Sequence, residues 1–525
     1  MPRVSSHGTV FTFDDFEGAR DAVVDRSAET RLGFAVAARR VVTEDFGFLL
    51  PDLQNNPENL LPEARATRDN LIKLGKTMRD TGDDVGSGDS NIPAAYTYFG
   101  QFVDHDITLD LESAELPELV ASNLAPLSLD RIEDELQNAR TATLELDSVY
   151  GAPAQRVDKE MEIGKVIEVG GRPPDKDDNN DLPRDPQNPG DPEKDRAARI
   201  GDPRNDENLI VAQMHVAFLR AHNELVRRGA RFQEARRRLL RHYQHIVLHD
   251  FLKRIVDRRI VNDVINNGNR VYDPDADNTF MPLEFSVAAY RFGHSMVRAE
   301  YNFNLNFNTS KANPDERATL EKLFMFTARS GQMVGLDNLP GNWIIQWENL
   351  VDANGTFDKA RRIDTELVEP LFELKDFQGR TLRGNRGSLA VRNLLRGYLL
   401  RMPTGQAVAR ALRRKLSGVR DIPVLKPGEI RAGAANPEQI QVLEDAGFLE
   451  RTPLWYYILA EAAVLGNGRR LGPVGGTIVA EVLVGLVRRS EASILRTENW
   501  EPSLPSAEPG TFTLNDLLRF AGVLP

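Results

Sequence analysis

Apolar residues at helical spacing constrain the fold of this chain more than any other feature of its sequence. Residues 207–228 and 232–257 carry apolar side chains at close to every 3.6 positions, which is the period of one helix face. Shorter helices are predicted at 64–79, 316–330, 390–401, 437–446 and 454–465. Strand-like alternation is sparse and favours only 298–306 and 343–347. The sequence therefore predicts a mainly α fold with few short strands.

Composition excludes several classes of protein. The 525 residues contain no cysteine, which excludes disulfides, thiolate metal sites and cysteine nucleophiles. Lys and Arg total 66 against 78 Asp and Glu, a formal net charge of −12, so a nucleic-acid partner is not expected. The oligomeric state stays open.

The sequence offers neither a transmembrane helix nor a signal peptide. The best candidate span, 472–487, is interrupted by Glu481 and is too short to cross a bilayer comfortably. Residues 1–15 lack the apolar core of a secretory signal. We expect a cytoplasmic protein, or one secreted without a recognisable signal peptide.

Two segments suggest how the chain is organised. Residues 1–90 are mixed in character and are predicted to form an N-terminal extension packed on the core, with one domain over 91–525. Residues 175–195 contain four prolines and many aspartates but only Leu182 as a large apolar residue, which predicts a surface loop.

The densest polar cluster lies at residues 98–106. On a helix, Gln101, Asp104 and His105 occupy positions i, i+3 and i+4 and share one face, whereas Asp106 points elsewhere. One turn would thus offer an amide, a carboxylate and an imidazole to a common cavity. A solvated polar face explains the same pattern equally well.

Three further segments are ambiguous when taken singly. Arg204 and Glu207 lie at a predicted helix start, where an N-cap with an exposed ion pair is the simpler interpretation. His294 is a lone histidine in an apolar helical setting, as satisfied core histidines often are. Asn393 and Arg396, three positions apart, are typical of a helix surface.

Five motifs nevertheless occur in a specific order. They are Phe-Gly-Gln-Phe-Val-Asp-His-Asp at 99–106, Gly-Asp-x-Arg-x-x-Glu-Asn at 201–208, Met-His-x-x-x-x-Arg-x-His-Asn at 214–223, Tyr-Arg-Phe-Gly-His at 290–294 and Arg-Asn-x-x-Arg at 392–396. This order resembles the peroxidase–cyclooxygenase superfamily, the animal-type haem peroxidases with their bacterial members, over about 91–523. The resemblance implies their fold, with haem b buried between core helices.

By resemblance, three residues would lie on the distal side of the haem. His105 would be the distal histidine, which takes a proton from hydrogen peroxide and returns it to the leaving oxygen. Arg204 would stabilise the charge on the leaving hydroxide. Gln101 would hydrogen-bond distal water or a bound halide.

The resemblance also implies how the haem is held. His294 would be the proximal iron ligand, and Asn393 would accept the hydrogen bond of its second ring nitrogen. Arg396 would pair with a haem propionate. Asp104 and Glu207 match the two carboxylates that form ester links to haem methyl groups in this family.

Calcium is the second cofactor that the resemblance implies. Asp106 follows the distal histidine, and the family binds calcium there together with a loop equivalent to residues 141–147. The loop ligands would be Thr141, Thr143, Glu145 and Asp147. Oxygen donors of this kind suit calcium, although an acidic turn without an ion stays an alternative.

The leading hypothesis is a haem peroxidase that uses hydrogen peroxide to oxidise small anionic or aromatic donors. Asn208 stands where one family member has a methionine bonded to the haem, so bromide, iodide and thiocyanate are expected rather than chloride. A fatty-acid dioxygenase is the alternative within the superfamily. Its cyclooxygenases need a tyrosine three residues before the proximal histidine, where this chain has Arg291, and Tyr290 is adjacent.

Two further alternatives are less favoured by the sequence. A haem-free helical interaction protein would be expected to have lost at least one of the motif residues. His242, His245 and His249 have a spacing that could hold zinc, but a polar helix face beside arginines is the simpler interpretation.

Overall fold

A computed structural model describes residues 3–4, 10–11, 44–80, 88–109, 124–151, 160–188, 190–191, 194–272, 279–353, 355–374 and 380–525. Helices dominate this part of the chain. In chain order the α-helices are α1 Arg65–Thr77, α2 Ala95–Ile107, α3 Leu129–Glu135, α4 Asp147–Tyr150, α5 Leu209–Arg227, α6 Phe232–Ile246, α7 Leu252–Ile255, α8 Arg258–Asn267, α9 Leu320–Met325, α10 Ala328–Gly331, α11 Leu389–Leu399, α12 Gly405–Lys415, α13 Pro427–Ala432, α14 Pro437–Asp445, α15 Leu454–Gly466, α16 Pro473–Arg489 and α17 Leu514–Phe520.

Strands are short, and several of their residues are buried in the core. They are β1 Arg3–Val4, β2 Val10–Phe11, β3 Glu44–Gly47, β4 Asp89–Pro93, β5 Gln137–Asn138, β6 Phe280–Pro282, β7 Glu300–Tyr301, β8 Ala318–Thr319 and β9 Lys359–Arg361. In the three-stranded sheet, β3 pairs antiparallel with β5 and parallel with β6. The antiparallel pairs β1–β2, β4–β9 and β7–β8 complete the described sheets. The prediction of a mainly α fold with few short strands is confirmed.

The two longest predicted helices are present, with boundaries that have local causes. Helix α5 begins at Leu209 because the Asn208 side chain accepts a hydrogen bond from the Ile210 N–H and caps the helix. The predicted helix over 232–257 is α6, a π-helical turn Val247–Phe251, and α7. A π turn of this kind inserts one extra residue, so it changes which side chains face the core on either side of it.

Three local predictions are wrong. The helix over 316–330 is interrupted, because α9 ends before Phe326 and Thr327 is extended. Residues 343–347 lie between 3₁₀ turns rather than in a strand. Only Glu300–Tyr301 is a strand within 298–306.

Helices α15 and α16 lie in the core of the molecule. The apolar stretch 472–487 is a core helix, and both Glu461 and Glu481 are fully buried there. Glu461 accepts hydrogen bonds from the Val474 and Gly475 N–H groups at the start of α16, where a helix lacks internal acceptors. Within the described residues, no helix is long and apolar enough to cross a membrane.

Residues 44–80 pack against later parts of the chain. Leu71 and Leu74 of α1 are fully buried, and a Cβ at Gly75 would lie 2.8 Å from the Val391 backbone of α11. Glycine therefore permits the close approach of the two helices. Residues 12–43 and 81–87 of the predicted extension lie outside the described residues.

The prediction of a surface loop at 175–195 is wrong for its central part. Arg184 is buried between two carboxylates, with Nη2 at 3.0 Å from Asp181 and Nη1 at 2.7 Å from Asp206. Asp181 also accepts the Leu339 N–H at 2.8 Å. The many aspartates of this segment indicate exposure to solvent when composition alone is considered. Composition does not distinguish a solvated aspartate from a buried one that is paired with arginine.

Candidate functional site

One cavity brings together residues from distant parts of the chain. It contains about 1180 Å³ of empty space, including the part open to solvent. Gln101 and Asp104 reach it from α2, Glu207 from the turn before α5, and His294 from the 3₁₀ helix Ala289–Met296. Much of the remaining wall is apolar: Phe251, Phe292, Met296, Val297, Leu320, Phe324, Leu371, Leu374 and Leu389. Such a lining, with few polar groups, is typical of a cofactor site.

One cavity carboxylate, Glu207, contacts both Gln101 and His105. The amide nitrogen of Gln101 donates to Oε1 of Glu207 at 3.1 Å, and Nε2 of His105 lies 3.6 Å from the same oxygen. Asp104 lies on the cavity wall in the next helical turn from Gln101. Gln101 is half-buried and Asp104 is buried, and both line the cavity, so this helix face is not solvated. His105 is fully buried and is absent from the described residues that line the cavity.

His105 is fully buried and its ring is oriented by a residue that the sequence interpretation missed. Nδ1 of His105 lies 2.8 Å from Oδ1 of Asn205, and Nδ2 of Asn205 lies 2.9 Å from Nδ1 of His215. Burial lowers the pKa of His215 to about 3, so its ring is neutral and can accept from the amide. The amide oxygen then faces His105, whose Nδ1 carries the hydrogen and whose Nε2 carries the lone pair.

Arg204 is oriented differently from the sequence-based expectation. Its guanidinium is paired with Asp202, with Nη2 at 2.7 Å from Oδ2, and Nη2 also donates to the carbonyls of His105 and Thr108. Arg204 is absent from the described residues that line the cavity. Its contacts with the two carbonyls fix the C-terminal end of α2. Burial alone would lower the pKa of Arg204, but the charge of Asp202 outweighs burial and raises it.

His294 contacts Asn393, as expected, but through the opposite end of the amide. Nδ2 of Asn393 lies 2.8 Å from Nδ1 of His294, while Oδ1 of Asn393 accepts from Nη1 of Arg291 at 2.9 Å. The expected carbonyl acceptor is therefore occupied by Arg291. Both Arg291 and His294 line the cavity.

A cluster of arginines lies beside this contact. Arg392 is buried next to Arg291 and Arg396, and burial together with these two cations lowers its pKa to about 9. Sequence spacing singled out Arg396 alone. The packing of α11 shows that three guanidinium groups face one region, an arrangement suited to anionic groups.

Asn208 and Tyr290 also lie on the cavity wall. Because the Asn208 side chain caps α5, its polar atoms serve the helix end. Tyr290 is buried and stacks on Phe285 with ring centroids 4.6 Å apart.

The acidic group predicted for calcium is only partly assembled. Asp106 points away from the cavity and accepts the Leu146 and Ser148 N–H groups. Asp147 accepts the Thr141 hydroxyl at 2.7 Å, and burial together with Asp147 raises the pKa of Asp106 to about 8. These facing carboxylates in a buried, oxygen-rich setting fit a cation.

The other two loop residues differ from each other in their surroundings. Glu145 is directed toward the 490–491 segment, where its carboxylate accepts the Glu491 N–H. Thr143 lies half-buried in the same loop. Among the described residues, no group of three histidine or acidic side chains has the arrangement of a complete metal site.

The zinc alternative is not supported by the surroundings of His242. Its Nδ1 lies 2.6 Å from the Arg238 carbonyl, and its Nε2 accepts the N–H groups of Ser503 and Leu504. Both ring nitrogens are thus used by the backbone. His245 and His249 face one another, with ring centroids 4.4 Å apart.

Part of this chain is similar to a known protein family. Residues 122–364 match the family model described as animal haem peroxidase. The matched region is a little under half of the chain, and over that region the chain is similar to animal haem peroxidases. The matched range includes Arg204, Glu207 and His294, whereas His105 and Asn393 lie outside it.

Individual relatives match only in part. A peroxidase-like protein from Margaritifera margaritifera is 29% identical over 258 residues, which cover 38% of this chain and 31% of that protein. The chain thus spans about a third of that relative's length.

Solved structures show the same fold over most of the chain. Peroxidase A from Dictyostelium discoideum superposes with a TM-score of 0.54 at 18% identity, covering 87% of this chain and 89% of that one. Fatty acid alpha-dioxygenase from Arabidopsis thaliana gives a TM-score of 0.53 at 15% identity, covering 88% and 74%. The predicted animal-type haem peroxidase fold is confirmed.

The cavity fits a haem on the chemistry of its lining. It offers an imidazole at His294, carboxylates at Asp104 and Glu207, a cation at Arg291 and otherwise mainly apolar walls. A flat apolar macrocycle with a metal and two propionates requires groups of these kinds.

Proposed function

We propose that this protein is a haem peroxidase, which uses hydrogen peroxide to oxidise bromide, iodide, thiocyanate and small organic donors. The observation that carries the proposal is the shared cavity of His294, Asp104 and Glu207. These residues are far apart in sequence, and a merely structural role would not require an imidazole and two carboxylates to line one apolar cavity.

His294 would ligate the haem iron, and Asp104 and Glu207 would form ester links to the macrocycle. Arg396 would pair with a propionate, with Arg392 and Arg291 adding positive charge beside it. The bound haem would supply the two-electron redox chemistry with peroxide. Iron binding through Nε2 of His294 requires the ring hydrogen on Nδ1, so the Asn393 amide would turn its oxygen toward Nδ1 to hold the ring.

His105 would move the proton. The Asn205 contact keeps the hydrogen on Nδ1, so Nε2 can take a proton from one peroxide oxygen and deliver it to the other. Gln101 would orient water or a halide beside Glu207. This proton transfer is efficient only if the His105 ring is held in one tautomer. The contacts from His105 to Asn205 and from Asn205 to His215 favour that tautomer.

Arg204 would act through the backbone of His105, without lining the cavity itself. Its charge interacts favourably with Asp104 and Glu207, and it binds the His105 carbonyl. We propose that Arg204 both fixes the end of α2 and stabilises negative charge that develops near His105. Calcium, held by Asp106, Asp147 and Thr141 with Thr143 and Glu145 near by, would support the same helix from its other face.

An absorption spectrum before and after one equivalent of hydrogen peroxide tests this proposal. We expect a Soret band that shifts with peroxide and returns when bromide, iodide or thiocyanate is added. A colourless protein that does not take up added haem would contradict it and favour the haem-free interaction protein.

A fatty-acid dioxygenase is the second candidate. It is favoured by Tyr290, which is buried in the same cavity wall, and by the apolar side chains around it. Oxygen uptake on adding a long-chain fatty acid to peroxide-activated protein would identify this activity. Halide oxidation without such uptake would exclude it.

A further inference from the structure

Tyr96 lies at the wall between two cavities. Its ring is fully buried and lines the cavity that contains His294, Asp104 and Glu207, called the haem cavity after its proposed ligand. The Tyr96 hydroxyl donates to Oδ2 of Asp250 at 2.5 Å. Asp250 lines a second cavity, which is open to solvent. Asp250 and Phe251, two neighbouring residues of the π turn, therefore face different cavities, with Phe251 on the haem side.

The contact between Tyr96 and Asp250 has the length of a hydrogen bond to a charged acceptor. Asp250 also accepts from Nε of Arg254 at 2.7 Å and from the Leu514 N–H at 3.0 Å. The two carboxyl oxygens thus accept hydrogen bonds from three donors. Asp250 is thus placed to receive the Tyr96 proton.

Arg254 lies over the Tyr96 ring. The guanidinium carbon is 4.2 Å from the centroid of that ring. A positive charge at that distance disfavours a radical cation on the ring, so it favours loss of the electron together with the phenolic proton. Burial and Asp250 raise the pKa of Tyr96 well above its usual value, so the hydroxyl is protonated before oxidation.

We propose that Tyr96 passes oxidising equivalents from the haem cavity to a second donor site, the solvent-open cavity beside Asp250. This inference rests on the proposed peroxidase function. The donors are phenols that do not need to enter the haem cavity.

The steps balance as one-electron transfers. Tyr96 gives one electron to the peroxide-oxidised haem and its proton to Asp250, leaving a neutral phenoxyl radical. A phenol in the second cavity gives one electron to that radical, and the proton returns from Asp250 to the Tyr96 oxygen. The phenol loses its own proton to water, so the sum is one-electron oxidation of the donor and one-electron reduction of the haem.

The second cavity has groups that suit a phenol. His245 and His249 line it together with Lys253 and Phe512. Burial, with Lys253 near by, lowers the pKa of His249 to about 4, so that its ring is neutral and can accept a phenolic hydrogen bond. Arg254, which covers Tyr96, pairs with Asp352 on the cavity wall at 2.7 Å.

The first test uses the radical itself. Holoenzyme is mixed with hydrogen peroxide, frozen and examined by electron paramagnetic resonance, with ring-deuterated tyrosine identifying a tyrosyl signal. We expect the signal in the wild type and its loss in Tyr96→Phe. The matched control is Tyr98→Phe, because Tyr98 lines the same cavity but donates to Tyr301, not to a carboxylate.

The second test uses donor size. Oxidation of a phenol coupled to dextran, which is too large for the haem cavity, is compared with oxidation of the same phenol uncoupled. We expect Tyr96→Phe to lower the ratio of these two rates at least tenfold. Asp250→Asn, which removes the proton acceptor with little change in shape, should lower it as well.

Three results would overturn the inference: no tyrosyl signal in the wild type, an unchanged signal in Tyr96→Phe, or an unchanged rate ratio in both variants. Each is distinguishable from failure of the peroxidase proposal, because that failure would abolish the Soret response to peroxide in the wild type.

Discussion

Nδ1 of His105 lies 2.8 Å from Oδ1 of Asn205, and the amide nitrogen of the same asparagine contacts His215. The asparagine thus has one end fixed by a neutral imidazole and presents the other to His105. This relationship determines which nitrogen of His105 is available as a base.

Asn205→Leu should therefore slow the reaction with hydrogen peroxide. Without the acceptor, both tautomers of His105 become accessible, and we expect the second-order rate to fall about a hundredfold, the size of a lost general base. Stopped-flow absorbance at the Soret band measures it. Asn205→Asp keeps an acceptor for Nδ1 and should retain much of the rate; equal losses in both variants would contradict the tautomer argument.

His294→Ala should abolish stable haem binding. The variant leaves space where the imidazole was, so added imidazole should restore part of the haem affinity, measured by titrating haem and recording the Soret band. Asn393→Ala should weaken haem binding less, since it removes only the support of the ring. Normal haem affinity in His294→Ala would exclude the proximal assignment.

Asp104→Asn combined with Glu207→Gln should make the haem extractable. Neither amide can form an ester, and Gln at 207 preserves most of the shape beside Gln101. After peroxide treatment, acid organic solvent should remove haem from the double variant and leave it on the wild type. Free extraction from the treated wild type would show that ester links do not form.

Calcium should stabilise the wild type, and Asp147→Asn should remove much of that effect. Asp106 and Asp147 are buried together, so a bound cation offsets their repulsion. A concentration one hundred times Kd stabilises by about 2.7 kcal/mol. Thermal unfolding with calcium and with a chelator measures the difference; Asp130→Asn is a control on the exposed helix α3. An equal chelator effect in both variants would place calcium elsewhere.

The sequence predicted those parts of the site that depend on local spacing. Gln101 and Asp104 lie on one helix face because α2 is regular, so their shared place on the cavity wall followed from the i, i+3 spacing. The orientation of Arg204 could not be predicted, because it depends on Asp202 and on carbonyl groups at the end of α2, about 100 positions earlier in the chain.

In the fold, too, features set by local spacing were predictable and those set by tertiary contacts were not. Long amphipathic helices such as α5 follow from periodicity, whereas the break between α9 and α10 depends on tertiary contacts such as the Ala328 N–H with Asp206. Asn205 lies within one of the five motifs, but its contact with His105 could not be predicted without knowing that His215 lies beside it. Periodicity reports which face of an element is buried, and it does not report which buried polar groups will pair.

His242 should make the stability of the protein depend on pH. Its Nε2 accepts the N–H groups of Ser503 and Leu504, so a proton on that nitrogen would oppose two donors and release the C-terminal segment. Burial lowers the pKa of His242 from 6.5 to about 4 in the folded protein. Between these values the unfolded chain binds the proton and the folded protein does not, so stability falls as the pH decreases through 6.5.

This loss should amount to about 2 kcal/mol between pH 7 and pH 5, and it should level off below about pH 4. Denaturant unfolding at several pH values measures it in wild type and His242→Gln. Glutamine can still accept from the two N–H groups but does not titrate, so its stability should change less over the same range, by about the His242 contribution. An identical pH dependence in both proteins would assign the acid sensitivity to other groups, of which His245 and His249 are the next to substitute.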